Sequence, residues 1–433
     1  MLHYSVGVEP LHFIIVEFSQ EADVSNIFFK STYAENSQIV PVQSLFLWFK
    51  APFKKVKQKP LKKITLEIEN GTYIASEDDI KNLLRLEKNI SDQMLLLYNT
   101  TKLNDVSTRL RFITAHQVEL ALSGIFPRMM AYPFGSSVNG FGKMGCDLDL
   151  VLRLNENSVP SADSRLVFHS KAVTASERST SQRHMEAIGD LLQLFLPGCS
   201  QVRRILQARV PIIKYYQQLA DVECDLSMSN MSGVYMSNLL YIMGDIDSRV
   251  RPLVFTIRKW AAEVGLTNSY PGRWITNFSL TLMVLAFLQK PGRNPPLLPG
   301  LNILIKFAGP EDKFITEDGV NLNPLERGLN VSKNVSLEEL EKLKMEMRNA
   351  AWILESQESK GMNWGILSLI ESKTKYSSTT AKQPKLLEVS KLFDSEETNI
   401  DLEFKNGQVE NQTINVVNEP VKGRLKRGKS RRQ

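Results

Sequence analysis

The chain of 433 residues has room for two or three domains, and its net charge of +6 permits a nucleic-acid partner without demanding one. Apolar residues make up 42% and charged residues 23%, the balance of an ordinary soluble globular protein, and no apolar run reaches the roughly 18 residues a membrane span needs. The three cysteines, Cys146, Cys199 and Cys224, include no Cys-x-x-Cys pair, which argues against a disulfide framework and a structural zinc site and fits a reducing compartment.

The opening stretch, Met1–Phe18, reads as neither a signal peptide nor an Arg-rich amphipathic presequence. His12–Phe18 reads as a strand, Glu21–Phe29 as a short helix and Ile39–Phe49 as strand again. Phe13 and Phe18 fall on opposite faces of a regular strand, so core packing is expected of them more than base stacking. Ala51–Lys63 holds six lysines and two prolines, a linker suited equally to phosphate contact and to solvation. Ser76 with Asp79 makes a capping-box start, after which Ile80, Leu83, Leu84, Ile90, Met94 and Leu97 recur at helical spacing. A second helix is predicted over Asp105–Leu122, and both helices are expected to pack against a sheet. His116 on the second is read as a surface or core residue.

The richest stretch is Pro133–Leu154, PFGSSVNGFGKMGCDLDLVLRL. Along Cys146–Leu152 the apolar positions alternate, so Leu148, Leu150 and Leu152 share one face of a strand and Asp147 and Asp149 the other. Two adjacent carboxylates repel unless a cation lies between them, and hard oxygen ligands suit Mg²⁺ or Mn²⁺. The preceding turn, Phe134-Gly135-Ser136-Ser137, presents backbone N–H groups and hydroxyls to an anion such as phosphate. Cys146 and Cys224 are read as small core residues on the sheet's opposite face.

Downstream, Asn155–Ser164 is a polar loop. A helix is predicted near Ser176–Phe195, its buried stripe formed by Met185, Ile188, Leu191, Leu192 and Phe195 and its end set by Pro197-Gly198. Val202–Leu206 and Val210–Tyr215 read as strands, with Arg209 and Lys214 as strand-edge charges or phosphate contacts. In Asp221–Met228, Val222, Cys224 and Leu226 take one face, leaving Glu223 and Asp225 on the other. Asn238–Leu288 is helical. Val250, Leu253, Val254, Ile257, Trp260, Ala261 and Val264 form one buried face, and after a break at Pro271-Gly272 the run Ile275–Leu288 resumes with Phe278, Leu282, Leu285 and Leu288. A helix is expected over Leu337–Leu354 and the fold ends near Ile366–Glu371. From Ser372 the composition is that of a disordered tail with a basic end, Val421–Gln433.

Gly135-Ser136, ten residues, then Asp147-x-Asp149 on an apolar strand resembles the signature of the DNA-polymerase-β-like nucleotidyltransferases. The wording FGSSVNGFGKMGCDLDL is similar to that of their poly(A) polymerase and terminal uridylyltransferase branch, and within it to mitochondrial-type members. The resemblance implies an α+β fold: a mixed nucleotidyltransferase sheet with helices, a helical central domain, and a partial N-terminal RNA-recognition-like domain associated with dimerisation. The implied division is 1–50 for the partial domain, 51–75 for the basic linker, 76–100 and 237–370 for the helical domain, 101–236 for the catalytic domain and 371–433 for the tail. Of the implied partial domain, the opening strand and helix are expected to be absent.

The activity implied is template-independent addition of AMP from ATP to RNA 3′ ends by a two-metal mechanism in a mitochondrial setting. Asp147, Asp149 and Asp225 would be catalytic and hold Mg²⁺ or Mn²⁺. Glu223 is the rival to Asp225, which the family pattern favours. Phe134, Gly135, Ser136, Gly145, Cys146, Arg258, Asn277 and Phe278 would form the nucleotide site. Arg258 matches a basic residue for the triphosphate and Phe278 a base-stacking aromatic. Ala262 replaces a second basic residue, with Lys259 as the substitute. Ala208–Lys214 resembles the segment ahead of the third carboxylate strand. All five histidines, His3, His12, His116, His169 and His184, precede the region where uridine-adding relatives place theirs, which tilts the reading toward ATP. After Leu301 several tens of residues that relatives carry are expected to be missing. The alternatives are therefore a terminal uridylyltransferase and a catalytically impaired RNA-binding or dimerisation form.

Overall fold

The computed structural model describes residues 1–31, 45, 67–68, 71–126, 129–154, 177–208, 210–228, 231–268, 272–292, 295–300, 335–356 and 364–371. The expected strand Ile39–Phe49 (Leu45 apart), the linker Ala51–Lys63, the loop Asn155–Ser164, Arg209, the stretch 301–334 and the tail from Ser372 lie outside the described residues.

The chain begins with two antiparallel strands, β1 (Leu2–Val6) and β2 (Leu11–Ile15), and β1 also pairs in parallel with β3 (Glu67–Ile68). The expected strand His12–Phe18 thus starts at Leu11 and stops at Ile15. Its partner β1 went unread in the sequence. Burial alternates along β1: Leu2, Tyr4 and Val6 point into the same core that backs the large sheet. Tyr4 stacks on Phe13 at 5.2 Å and donates its hydroxyl to the Leu219 carbonyl at 3.0 Å. Phe13 is therefore a packing residue, since its ring is covered by Tyr4 and by the core. Helix α1 (Glu21–Ser31) follows.

The spacing from Ile80 to Leu97 reads as one helix but forms two, α2 (Glu77–Leu86) and α3 (Ile90–Thr101). Asn89 causes the break. It leaves the helical conformation and its side chain accepts from the Asp92 N–H at 2.8 Å, capping a new helix. Ser76 caps α2 in the same way through Asp79. Helix α4 (Asp105–Leu122) is capped by Asn104 and buries Val106, Leu110, Val118 and Leu122.

The central sheet runs β4 (Met130–Phe134), β5 (Leu148–Arg153), β8 (Val222–Met228), β7 (Ile212–Gln217) and β6 (Cys199–Ile205) in that spatial order. Only β5 and β8 are parallel, so the sheet is mixed. One face is filled by Leu148, Leu150, Leu152, Ile213, Cys224 and Leu226, packed against α4 and α5 (Glu177–Phe195). In α5, Met185, Ile188 and Leu192 are buried as expected, but Phe195 is exposed. The chain leaves the helix at Phe195, and Leu196 takes the buried position instead.

The other face looks toward a helical layer: α6 (Ser232–Asp245), α7 (Val250–Glu263), α8 (Asn277–Leu288), α9 (Leu337–Glu355) and α10 (Ile366–Glu371). Here α6 begins at Ser232, ahead of the expected Asn238. Helices α2 and α3 pack with α10 through Leu84, Leu97, Ile366, Leu367 and Ile370. Among the described residues no helix is long and apolar enough to cross a membrane.

Candidate active site

Register lines up four side chains across the sheet. Phe134 on β4 is opposite Asp149 on β5, Asp149 is opposite Asp225 on β8, and Asp225 is opposite Lys214 on β7. All four lie away from the leucine-filled face, because β5 and β8 present alternate residues to opposite sides. Lys214 is thus no edge charge. Its Nζ lies 2.5 Å from Asp225 Oδ2 in a half-buried pair. Asp147 stands just before β5 and Glu223 two positions before Asp225; both are exposed.

Two of the carboxyls are hard to ionise. Burial, then the charges of Asp225 and Asp147, push the Asp149 carboxyl up to about 7. Asp147 is also raised, by desolvation first and then by Asp225 and Glu223, while Lys214 and Arg111 pull it back. Among the described residues no three His, Cys, Asp or Glu side chains converge tightly enough to enclose a cation by themselves. The donors nonetheless suit a hard divalent ion: oxygens only, adjacent in register, and hard to ionise together without a counter-charge.

Beside Asp149 the chain makes a 3-10 turn, Gly135–Ser137. Gly135 has φ +72°, and a Cβ there would sit 2.4 Å from Asp149 Oδ2. Only glycine fits both the left-handed backbone and the contact. Its N–H is already committed to Ser237 Oγ on α6 at 2.7 Å, so it is not free for the anion expected of this turn.

Arg111 underpins this turn, and no motif pointed to it. Arg111 is 2% exposed, and its guanidinium donates to Ser137 Oγ at 3.1 Å, to Ser107 and to the Cys146 carbonyl. Ser137 Oγ in turn donates to the Asp147 carbonyl at 2.9 Å. One buried cation therefore ties α4 to both ends of the loop that carries the carboxylates. The one signal was spacing: Arg111 falls on the apolar stripe of α4, where a charge needs a reason. Cys146 corrects its reading as a core residue. Its carbonyl belongs to this clamp and its side chain is partly exposed, while Cys224 is buried as read.

A cleft of about 870 Å³ lies between sheet and helices. Phe134, Gly135, Ser136, Cys146 and Asp149 line one wall, and Arg258, Asn277 and Phe278 the other. Gly145, with φ +74°, and the two other aspartates, Asp147 and Asp225, stand outside this lining. Arg258 donates to Thr281 Oγ1 at 2.9 Å and to the Phe141 carbonyl at 2.7 Å, with no carboxylate partner among the described residues. Burial lowers its pKa to about 10, so it stays cationic at neutral pH. Lys259, by contrast, is neutralised by Glu77 and Glu263, each at 2.8 Å, so the expected substitute for a basic residue at Ala262 is already engaged.

Sheet order, the parallel β5–β8 seam and the carboxylates along it define the class, a polymerase-β-like nucleotidyltransferase. The family model described as "Poly(A) RNA polymerase, mitochondrial-like, central palm domain" matches residues 90–245. The chain is 41% identical to the mitochondrial poly(A) RNA polymerase of Drosophila melanogaster, covering 91% of this chain and 77% of that protein. It is 32% identical to the one of Homo sapiens, covering 83% and 72%. Crystal structures of mtPAP superpose with it: the UTP complex with TM-score 0.71 at 31% identity and the ATPγS complex with 0.69 at 30%, each covering 85% of this chain and 90% of that one. The chain belongs to the mitochondrial poly(A) RNA polymerase family, in which divalent-metal use is implied. The Drosophila alignment spans 475 positions, more than the 433 residues available, so that relative carries residues this chain lacks.

Proposed function

We propose that this chain adds AMP from ATP to RNA 3′ ends. The observation that carries the reading is Asp149, of the carboxylate row, beside a glycine-serine turn and facing, across a cleft large enough for a nucleotide, a partly buried arginine with no carboxylate partner among the described residues. In this reading Asp147, Asp149 and Asp225 are catalytic and hold Mg²⁺ or Mn²⁺. Bound there, a pair of such ions supplies charge neutralisation and lowers the pKa of the attacking 3′-hydroxyl.

The protein's own groups position and screen. Ser136 binds the terminal phosphates through its N–H and hydroxyl, and Gly135 lets them approach closely. Arg258 supplies a fixed positive charge to the triphosphate from a site where little water screens it. Phe278 stacks on the base with Asn277 beside it as a polar nucleotide contact, while Phe134 and Cys146 line the same cleft and Gly145 lies just outside it. Most of the rate enhancement comes from orientation and from dipoles fixed before reaction. The domain division at 50, 75, 100, 236 and 370 belongs to the same proposal, as do a homodimer through the N-terminal part and a mitochondrial location, the latter supported by the relatives' names.

The test is extension of an oligo(A) primer with each of the four triphosphates separately, in Mg²⁺ and in Mn²⁺. Extension is expected fastest with ATP. Faster extension with UTP would replace the adenylyl assignment by the uridylyl one. An untouched primer from folded protein in every condition would overturn the enzyme reading itself.

A further inference from the structure

The side chain of Lys214 crosses from β7 to the carboxylate face and spends its charge on Asp225. The residues flanking it in register on β7, Ile213 and Tyr215, are buried in the core, whereas Lys214 is half-exposed on the opposite side. A single half-exposed ion pair is worth little on its own. What Lys214 does provide is a positive charge at the edge of a carboxylate row, with Asp225 directly opposite on β8, Asp149 one strand further and Glu223 beside them, while Arg203 is opposite it on β6. Lysine is suited to such a place, because its ammonium is a compact point charge on a long stem that can withdraw.

We propose that Lys214 is a cation placeholder. In the metal-free protein its ammonium occupies the position at Asp225 that a divalent ion claims, and it leaves when the ion binds. The two compete for one carboxylate oxygen, so the lysine keeps the triad from repelling itself apart while tuning metal affinity downward. Lys214 is a positioning residue, acting through Asp225. The inference rests on reading Asp147, Asp149 and Asp225 as the metal-holding set.

The test is Mn²⁺ binding by titration calorimetry and by electron paramagnetic resonance, without nucleotide or RNA. Lys214→Met should bind Mn²⁺ about tenfold more tightly than wild type, since removing one like charge a few ångströms from the ion relieves direct repulsion. Lys214→Arg should lie close to wild type, and adding Lys214→Met to Asp225→Asn should give no further gain, because the shared oxygen is gone. In the unmutated chain, Lys214 should be shielded from amine acetylation without metal and become reactive with Mn²⁺. Unchanged or weaker Mn²⁺ binding by folded Lys214→Met, with wild type binding normally, would overturn the placeholder and leave the triad standing. Wild type that takes up no Mn²⁺, or whose uptake is unaffected by Asp225→Asn, would overturn the triad reading and the placeholder together.

Discussion

Asp149 and Asp225 face each other in register on the parallel strands β5 and β8, with the Asp149 carboxyl pushed up to about 7. Lys214 offsets part of the repulsion in this pairing, and what remains is measurable in several ways.

The first is pH. A carboxyl whose pKa rises from 3.8 to about 7 on folding binds more protons in the folded state between those values. Its stabilising contribution is complete below pH 3.8 and is lost as pH rises through 7. Metal-free protein is expected to lose on the order of 2 kcal/mol from this group between pH 5 and pH 8. Asp149→Asn should flatten that slope and raise the metal-free melting temperature at pH 8, as read by thermal denaturation. An equally steep decline in the variant would show that another group sets it.

Gly135 gives a second prediction. Gly135→Ala forces a methyl group against Asp149 Oδ2 and places alanine in a left-handed conformation. A cost of about 1–2 kcal/mol is expected, together with a loss of tailing far larger than that destabilisation explains, because the turn and the carboxylate both shift. Activity measured well below the melting point separates the two effects.

Arg111→Met should cost about 2–4 kcal/mol, since the Cys146 carbonyl and Ser137 hydroxyl lose a buried charged donor. In protein that stays folded, kcat should fall more than KM rises, because the clamp orients Asp147 and does not touch the triphosphate. A pure KM effect would contradict this placement.

For Arg258 the expectation is reversed. Arg258→Ala should raise KM for ATP about tenfold, roughly 1.4 kcal/mol of lost phosphate binding, with Arg258→Lys intermediate. Binding of AMP, which lacks the β and γ phosphates, should change much less. Equal losses for ATP and AMP would place the arginine near the base instead.

Much of this site could be read in the chain because its elements are locally written. The alternation Leu148-Asp149-Leu150 and Val222–Leu226 fixes which side chains share a face before any tertiary contact forms. The cap at Ser76 marks its helix just as plainly. What escaped reading depends on partners distant in sequence. The reach of Lys214 to Asp225 needs the β7–β8 register, and the roles of Arg111 and Ser237 need α4 and α6 to close on the turn. Cys146 looked like a core residue because it precedes an alternating strand, but the strand begins only at Leu148. Asn89 split a helix whose apolar spacing ran through it, since spacing does not register a cap.

The most direct measurement is primer extension with ATP by Asp147→Ala and Asp225→Asn, each shown by circular dichroism to keep the wild-type fold. The account predicts that oligo(A) extension by wild type is robust and that both variants fall below detection, in Mg²⁺ and in Mn²⁺ alike. Sustained extension by either folded variant would contradict the carboxylate row as the seat of catalysis.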